Sequence, residues 1–84
     1  MVLLYVDDDS EDILLFNDAI ESINPNFICL SAGNGEEALS ILNDITRYII
    51  FLEVNLPIMN GRKTLEAIRG DRRLHSVPVC MLST

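Results

Sequence analysis

The chain has 84 residues, of which 49% are hydrophobic and 23% charged, and its formal net charge is −7. This length allows one domain at most, and the balance is that of a folded globular chain rather than a disordered one. The apolar runs are too short to span a bilayer, and no basic segment leads into an apolar one at the amino terminus. We therefore expect a cytoplasmic protein with no signal peptide and no membrane partner.

The charge is unevenly distributed. Residues 1–42 hold nine acids and no Lys or Arg, whereas residues 43–84 hold four acids and six bases. Nucleic-acid binding requires clustered cations against phosphates, so this distribution disfavours it. Five of the acids fall between Asp7 and Asp12, and such a group favours a bound cation.

The first half of the chain predicts two strand–helix pairs. Val2 to Val6 is an apolar run typical of a buried strand, and Asp9 or Ser10 can cap the helix that follows. That helix has apolar residues at helical spacing and ends at an Asn-Pro-Asn turn; they are Ile13, Phe16, Ile20 and Ile23. Phe27 to Leu30 predicts a second strand, residues 31–35 a loop, and Glu36 the start of a helix. The buried stripe of this second helix comprises Ala38, Ile41, Leu42 and Ile45.

The second half repeats the pattern. Ile49 to Glu53 is an apolar strand that ends in an acid and is followed at once by turn formers. Gly61 to Arg69 predicts a third helix closed by Gly70, with Leu65 and Ile68 facing inward. Val77 to Leu82 predicts a fourth strand. Two cysteines lie inside strand-like runs, and we expect both to be buried free thiols; they are Cys29 and Cys80.

Alternating apolar strands and helices predict an α/β fold with a doubly wound parallel sheet. In the flavodoxin-like strand order 2-1-3-4-5, the topological switch point lies between strands 1 and 3. That order brings Asp7 and Asp8, after strand 1, beside Glu53, at the end of strand 3.

Three carboxylates in one crevice repel each other, by about 4 kcal/mol for each pair of unit charges roughly 4 Å apart at an effective dielectric of 20. Either some share protons or a divalent cation lies among them. Carboxylates with a backbone carbonyl suit Mg²⁺ better than Zn²⁺, which favours His or Cys. Ser83, at the end of strand 4, points its hydroxyl toward the same crevice, where it can bond a phosphoryl oxygen.

These residues resemble the receiver domain of a two-component response regulator over all 84 positions. The resemblance is carried by four segments: YVDDDSED after strand 1, GNGEEALSIL in helix 2, FLEVNLPIMNG around strand 3, and VPVCMLST at strand 4. The N-x-P-x-M-N-G pattern that follows an acid is the most specific of them. The resemblance implies a flavodoxin-like fold and a place in phosphorelay signalling.

The resemblance also implies a role for each site residue. Asp7 and Asp8 would bind Mg²⁺, together with Glu53 and the backbone carbonyl of Asn55. Position 53 would be the phosphoacceptor, and Ser83 the switch hydroxyl. Three further residues would support the site: Pro57 and Gly61 in the loop behind it, and Thr84 as the small residue after Ser83.

One departure from the family lies at the acceptor. The family uses aspartate, and one extra methylene displaces the Glu53 carboxylate by about 1.5 Å. Since phosphoryl transfer depends on positioning, and a 1 Å error can reduce the rate about 100-fold, we expect a poor acceptor. Glu53 can instead partly imitate the phosphorylated state, with about −1 charge against −1.5 to −2 for phosphate.

The other departure is length. A complete receiver continues through helix 4, strand 5 and helix 5, and strand 5 supplies a lysine that pairs with the phosphoryl group. We expect residues 1–84 to be a receiver domain that lacks these elements. Strand 4 then becomes an apolar edge, which predicts self-association or a partner that supplies a strand.

We therefore interpret the chain as a signalling module, not an enzyme, that meets a sensor histidine kinase or phosphotransfer protein. A receiver that acts without phosphorylation is the second interpretation. A haloacid-dehalogenase-type phosphatase is a third, since Asp7-x-Asp9-Ser10 looks like its nucleophile motif and Ser83 or Thr84 like its second motif, but it leaves Glu53 unexplained. A flavin binder is disfavoured because the Asp triplet would repel the flavin phosphate.

Overall fold

Strands and helices alternate along the whole chain. The computed structural model describes residues 1–43 and 48–83. Its elements in order are β1 (Val2–Val6), α1 (Ser10–Ile23), β2 (Ile28–Ala32), α2 (Gly35–Leu42), β3 (Ile49–Glu53), α3 (Gly61–Gly70) and β4 (Val79–Leu82).

The strands form one four-stranded parallel sheet in the order β2-β1-β3-β4. This confirms the predicted flavodoxin-like order. Val6 of β1 pairs with Leu52 of β3, and Glu53 pairs with Leu82 of β4. The carboxyl ends of β1, β3 and β4 therefore lie at the same end of the sheet.

The main core lies between the sheet and helices α2 and α3. Because side chains alternate across a strand, one face of the sheet presents a continuous apolar surface to these helices. The fully buried members of this core are Leu4, Val6, Leu42, Ile50, Leu52 and Ile68. Ala38 of α2 is also completely buried, and its small side chain allows the helix to approach the sheet.

The opposite face of the sheet carries an aromatic cluster beneath α1. Tyr5 of β1 stacks on Phe16 of α1 with ring centroids 4.4 Å apart, and Phe16 contacts Phe51 of β3 at 5.0 Å. No residue of α1 is fully buried. Ile23, which the helical spacing placed with the apolar residues of this helix, is 73% exposed in the last turn.

Each helix begins at an Asp or Asn whose side chain accepts a hydrogen bond from a backbone N–H of the first turn. Asp9 accepts from Glu11, Asn34 from Glu37 and Asn60 from Lys63. Such caps satisfy amide groups that have no partner inside the helix. They also fix where each loop at the carboxyl edge of the sheet ends.

Four predicted elements have other boundaries in the structure. Helix α3 includes Gly70, and its C-cap is Asp71. Strand β2 begins at Ile28 and continues through Ala32, because its parallel pairing with β1 runs to the end of that strand. Helix α2 begins one residue early, at Gly35, because Asn34 is the cap. Strand β4 begins at Val79 because the Val77 amide bonds the Leu74 carbonyl in a turn. Ile45, predicted in the buried stripe of α2, lies outside the described residues.

The expectation of two buried thiols is also wrong. Cys29 is half-buried and Cys80 is exposed. Cys80 lies on β4, at an edge of the sheet, and no helix described here contacts that strand closely. Among residues 1–43 and 48–83, no helix has the length and apolar character that a membrane crossing requires.

The loop between β3 and α3 contains one strained residue. Ile58 has φ of 65° and is 77% exposed. The Met59 amide bonds the Pro57 carbonyl across it at 2.6 Å, as in a three-residue γ-turn with a positive central φ, which is rare and strained. A β-branched side chain is poorly suited to this backbone region.

We predict that Ile58→Asn stabilises the chain by about 1 kcal/mol, since such strain costs about 1–3 kcal/mol and Asn tolerates positive φ. Little apolar burial is lost because Ile58 is already exposed. Urea denaturation measures the difference in unfolding free energy. Ile23→Asn is the matched control, as Ile23 is similarly exposed in a helix, and it should give no gain. Equal or lower stability of Ile58→Asn would show that the turn is unstrained.

Candidate functional site

Two buried carboxylates lie side by side at the carboxyl edge of the sheet. Because Val6 pairs with Leu52, the residues that follow them occupy neighbouring positions: Asp7 directly after β1 and Glu53 at the end of β3. Each is only 4% exposed. The sheet therefore brings together two of the acids that the sequence assigned to one crevice.

Both carboxylate oxygens of Asp7 accept a hydrogen bond from a neutral donor. The Tyr5 hydroxyl donates to Oδ2 and the Asp9 amide donates to Oδ1, each at 3.0 Å. Burial, the bond to Asp7 and the negative charges of Asp7, Asp12 and Glu53 raise the pKa of Tyr5 to about 12. Tyr5 is therefore a neutral donor at physiological pH.

Glu53 is held by the loop that follows it. Its Oε1 accepts from the Asn55 amide at 3.3 Å. The start of α3 packs directly against the Glu53 backbone, and the Gly61 amide donates to the Val54 carbonyl at 2.9 Å. A Cβ at position 61 would collide with the Glu53 carbonyl oxygen, so only glycine permits this approach.

Two further residues act on these carboxylates: Tyr5, which no sequence motif identifies, and Asp12, which the sequence gives only as one of five clustered acids. Tyr5 lies two positions before Asp7, and the period of two along a strand would have placed both on one face. Asp12 lies in the first turn of α1, and the negative charges of Asp9, Asp7, Glu11 and Glu53 contribute to raising its pKa. The sequence signal for Asp12 was its position three residues after the cap Asp9, which places it in the first turn of α1.

The other predicted site residues lie at the rim. Asp8, Asn55 and Ser83 are exposed, and so is Pro57 in the following loop. Ser83 directly follows Leu82, the partner of Glu53 across the sheet. Thr84 lies outside the described residues.

The donor chemistry fits a hard divalent cation. Asp7 and Glu53 are buried, yet the ion pairs found among the described residues join only Arg62 to Glu66 and Arg73 to Asp71. Buried carboxylates without a cation are costly, and oxygen ligands suit Mg²⁺. As placed, however, no three His, Cys, Asp or Glu side chains in the described ranges are gathered closely enough to hold a metal.

Asp9 has a structural role that bears on the phosphatase interpretation. Its Oδ1 accepts from the Glu11 amide at 2.9 Å, which caps α1. The second acid of an Asp-x-Asp pair is therefore engaged with a helix and not with the buried carboxylates.

A cavity of about 750 Å³ opens at the opposite edge of the sheet, between Met1, Tyr48 and Pro78, and none of its lining residues is acidic.

A family model described as the response regulator receiver domain matches residues 3–84. The transcriptional regulatory protein CpxR of Escherichia coli K12 is 38% identical over 81 residues, which cover 96% of this chain and 32% of that protein. A protein-glutamate methylesterase/protein-glutamine glutaminase of Methanococcoides burtonii is 31% identical and matches over 22% of its own length. The chain thus spans about a third or less of these relatives.

Solved structures show the same fold. The N-terminal domain of a response regulator receiver protein from Methanoculleus marisnigri is 30% identical with a TM-score of 0.86, covering 95% of this chain and 63% of that one. The Mn²⁺-bound form of response regulator Rcp1 is 25% identical with a TM-score of 0.87, covering 99% and 65%. Family model, relatives and structures agree, and the chain belongs to the response regulator receiver domain family.

Proposed function

We propose that this chain is the receiver module of a two-component phosphorelay, with Glu53 at the phosphoacceptor position. One observation carries the proposal: Glu53 ends the central strand β3, is 4% exposed, and lies beside the equally buried Asp7. A phosphoryl signal at this position would change the charge of a buried crevice bordered by exposed loops. Such a change can alter a protein–protein surface.

In this proposal Mg²⁺ is bound by Asp7, Asp8, Glu53 and the backbone carbonyl of Asn55. Asp8 is exposed, so its carboxylate has to turn toward the buried pair to complete the ligand set. The bound cation would neutralise charge on the phosphoryl oxygens during transfer. The Mn²⁺-bound state of the related Rcp1 structure supports a divalent cation in this fold.

Phosphoryl transfer would proceed from a phosphorylated histidine, or from acetyl phosphate, to a Glu53 carboxylate oxygen. A bond forms between this oxygen and phosphorus, which makes an acyl phosphate. The bond between phosphorus and the donor breaks, and the donor keeps its electron pair. The extra methylene of Glu53 misplaces the attacking oxygen, and Oε1 is already bonded to the Asn55 amide. We therefore infer slow transfer or none. Ser83, exposed at the end of β4, is the proposed switch hydroxyl for a phosphorylated acid.

The second candidate is a receiver that acts without phosphorylation. The identity of residue 53 favours it, since the longer Glu53 side chain extends its carboxyl group further toward the place of a phosphoryl group than an aspartate would. In that case the protein–protein surface that phosphorylation would switch stays in one state. The carboxylate holds it there to the extent that it can imitate a phosphate. The domain would then serve as an interaction module for its partner.

The proposed partner is a sensor histidine kinase or phosphotransfer protein in the cytoplasm. We propose no nucleic-acid contact by this domain, because residues 1–42 carry nine acids and no Lys or Arg. Some relatives are named methylesterases, but the match covers a small part of them. We propose that residues 1–84 contribute signalling and not that hydrolytic activity.

The acceptor is tested by intact mass after incubation with acetyl phosphate and Mg²⁺. We expect a phosphoryl-sized gain in Glu53→Asp and at least about 100-fold less in the unaltered chain, because the carboxylate is misplaced by more than 1 Å. Glu53→Gln is the control without an acceptor. Asp7→Asn in the Glu53→Asp background should abolish the gain that depends on Mg²⁺.

Equal labelling of the unaltered chain and Glu53→Asp would contradict a blocked acceptor. Labelling of Glu53→Gln would place the acceptor elsewhere. No gain in any version would mean that residues 1–84 do not form a competent acceptor site, most simply because the lysine that strand 5 supplies is missing.

We also propose that the 84-residue chain self-associates through β4. This strand pairs only with β3 in the described sheet, and its residues VCML carry no charge. An uncharged apolar edge strand can pair with another chain. Met81→Lys should therefore lower the mean mass in light scattering. Ile28→Lys, on the opposite edge strand, should leave it unchanged. A dilution-stable monomer would contradict the proposal.

A further inference from the structure

We propose that Tyr5 is a positioning residue of the cation site, which holds the Asp7 carboxylate in a fixed orientation for Mg²⁺. This role rests on the proposed binding of Mg²⁺ at Asp7. Neither the acid pattern nor the strand-end loop identifies Tyr5. Its hydrogen bond to Asp7 and its ring contact with Phe16 point to this role.

The hydroxyl of Tyr5 reaches Asp7 directly. Both residues lie on the same face because they are two positions apart on one extended segment. Tyr5 is 8% exposed, and its hydroxyl donates to Asp7 Oδ2 at 3.0 Å. The Asp9 amide holds the other oxygen at 3.0 Å. With one donor on each oxygen, the plane of the carboxylate is fixed from both sides.

The ring of Tyr5 is itself held by packing. It stacks on Phe16 at 4.4 Å between centroids and 25° between planes, and Phe16 contacts Phe51 at 5.0 Å. Phe51 also lies directly opposite Tyr5 in the sheet. These contacts do not involve the hydroxyl, so Tyr5→Phe removes the hydrogen bond and keeps the stack.

Both donors to Asp7 are neutral. A carboxylate offers about four lone-pair sites on its two oxygens, and two hydrogen bonds leave the others for a cation. No ion pair to Asp7 occurs within residues 1–43 and 48–83, so its charge is not already neutralised by Lys or Arg. The site therefore combines an available negative charge with a restricted orientation.

A fixed carboxylate loses less rotational freedom when it binds a metal. Residues that hydrogen-bond to metal ligands typically change metal affinity by about 10–100-fold when they are replaced. One neutral hydrogen bond corresponds to the lower end of that range. We therefore expect Tyr5→Phe to weaken Mg²⁺ binding about tenfold.

The experiment is an NMR titration of the 84-residue chain with MgCl₂, which gives the dissociation constant from backbone amide shifts. The variants are Tyr5→Phe and, as matched control, Tyr48→Phe. Tyr48 precedes β3 at the opposite edge of the sheet, where its hydroxyl donates to the Ile41 carbonyl at 3.4 Å. Tyr48→Phe should keep the original affinity, while Tyr5→Phe should lose about tenfold.

The unaltered chain supplies a readout that requires no substitution. Its two tyrosines give two sets of ring signals. The Tyr5 set should shift with the same dissociation constant as the Asp7 amide, and the Tyr48 set should not move. A hydroxyl that only satisfies a buried oxygen would leave the affinity for Mg²⁺ unchanged.

The outcomes separate the two proposals. If the unaltered chain does not bind Mg²⁺, the proposed cation site fails, and the role of Tyr5 fails with it. If the chain binds Mg²⁺ but Tyr5→Phe binds it equally or more tightly, the role of Tyr5 is overturned and the cation site stands. The role of Tyr5 would also be overturned if its ring signals did not shift while the chain binds Mg²⁺ to saturation.

Discussion

The burial of two neighbouring carboxylates at one edge of the sheet is the constraint on which this site depends. Asp7 and Glu53 end adjacent strands and are almost fully excluded from water. Like charges at effective dielectric 20 repel by about 4 kcal/mol at roughly 4 Å, and burial adds a desolvation cost. The described part of the chain offers hydrogen bonds from Tyr5, Asp9 and Asn55, but no cation. A divalent cation would offset this cost, which is why the site fits Mg²⁺.

The fold gives this edge little room to adjust. The helix α3 begins at Gly61, where any side chain would collide with the Glu53 backbone. The turn before it holds Ile58 at a positive φ. A longer acid at position 53 therefore extends into a crevice whose walls are set by backbone, and its carboxylate is displaced from the place an aspartate would occupy. This is the physical reason for proposing a poor acceptor.

Much of the fold was predictable because its signals are local. The apolar runs of β1 and β3, each followed by or ending in an acid, predicted two buried strands with carboxylates at their ends, and the alternation with helices predicted a parallel sheet. The flavodoxin-like strand order, with its switch point between strands 1 and 3, then predicted that Asp7 and Glu53 meet. The ends of β2 and β4 were not predictable from composition, since they are decided by the partner strand and by a turn at Leu74.

The hydrogen bonds and electrostatic contacts of the site could not be predicted from the sequence, because they depend on side-chain geometry. The Tyr5 hydroxyl bonds Asp7 because a ring stack on Phe16 aims it there, and neither contact is visible as a motif. Asp12 was counted among the acids, but its electrostatic contact with Asp7 and Glu53 depends on how α1 lies on the sheet. Cys80 was expected inside because its run is apolar, although an edge strand leaves it exposed.

The most direct test of the account is a crystal structure of this chain with Mn²⁺, located by its anomalous scattering. We predict one strong peak at the carboxyl edge of the sheet, from an ion bound by oxygens of Asp7, Asp8 and Glu53 and by the Asn55 carbonyl. Octahedral coordination of the Mg²⁺ that it replaces has distances of about 2.0–2.1 Å. A well-ordered edge without a peak, or a peak that avoids Asp7 and Glu53, would contradict the account.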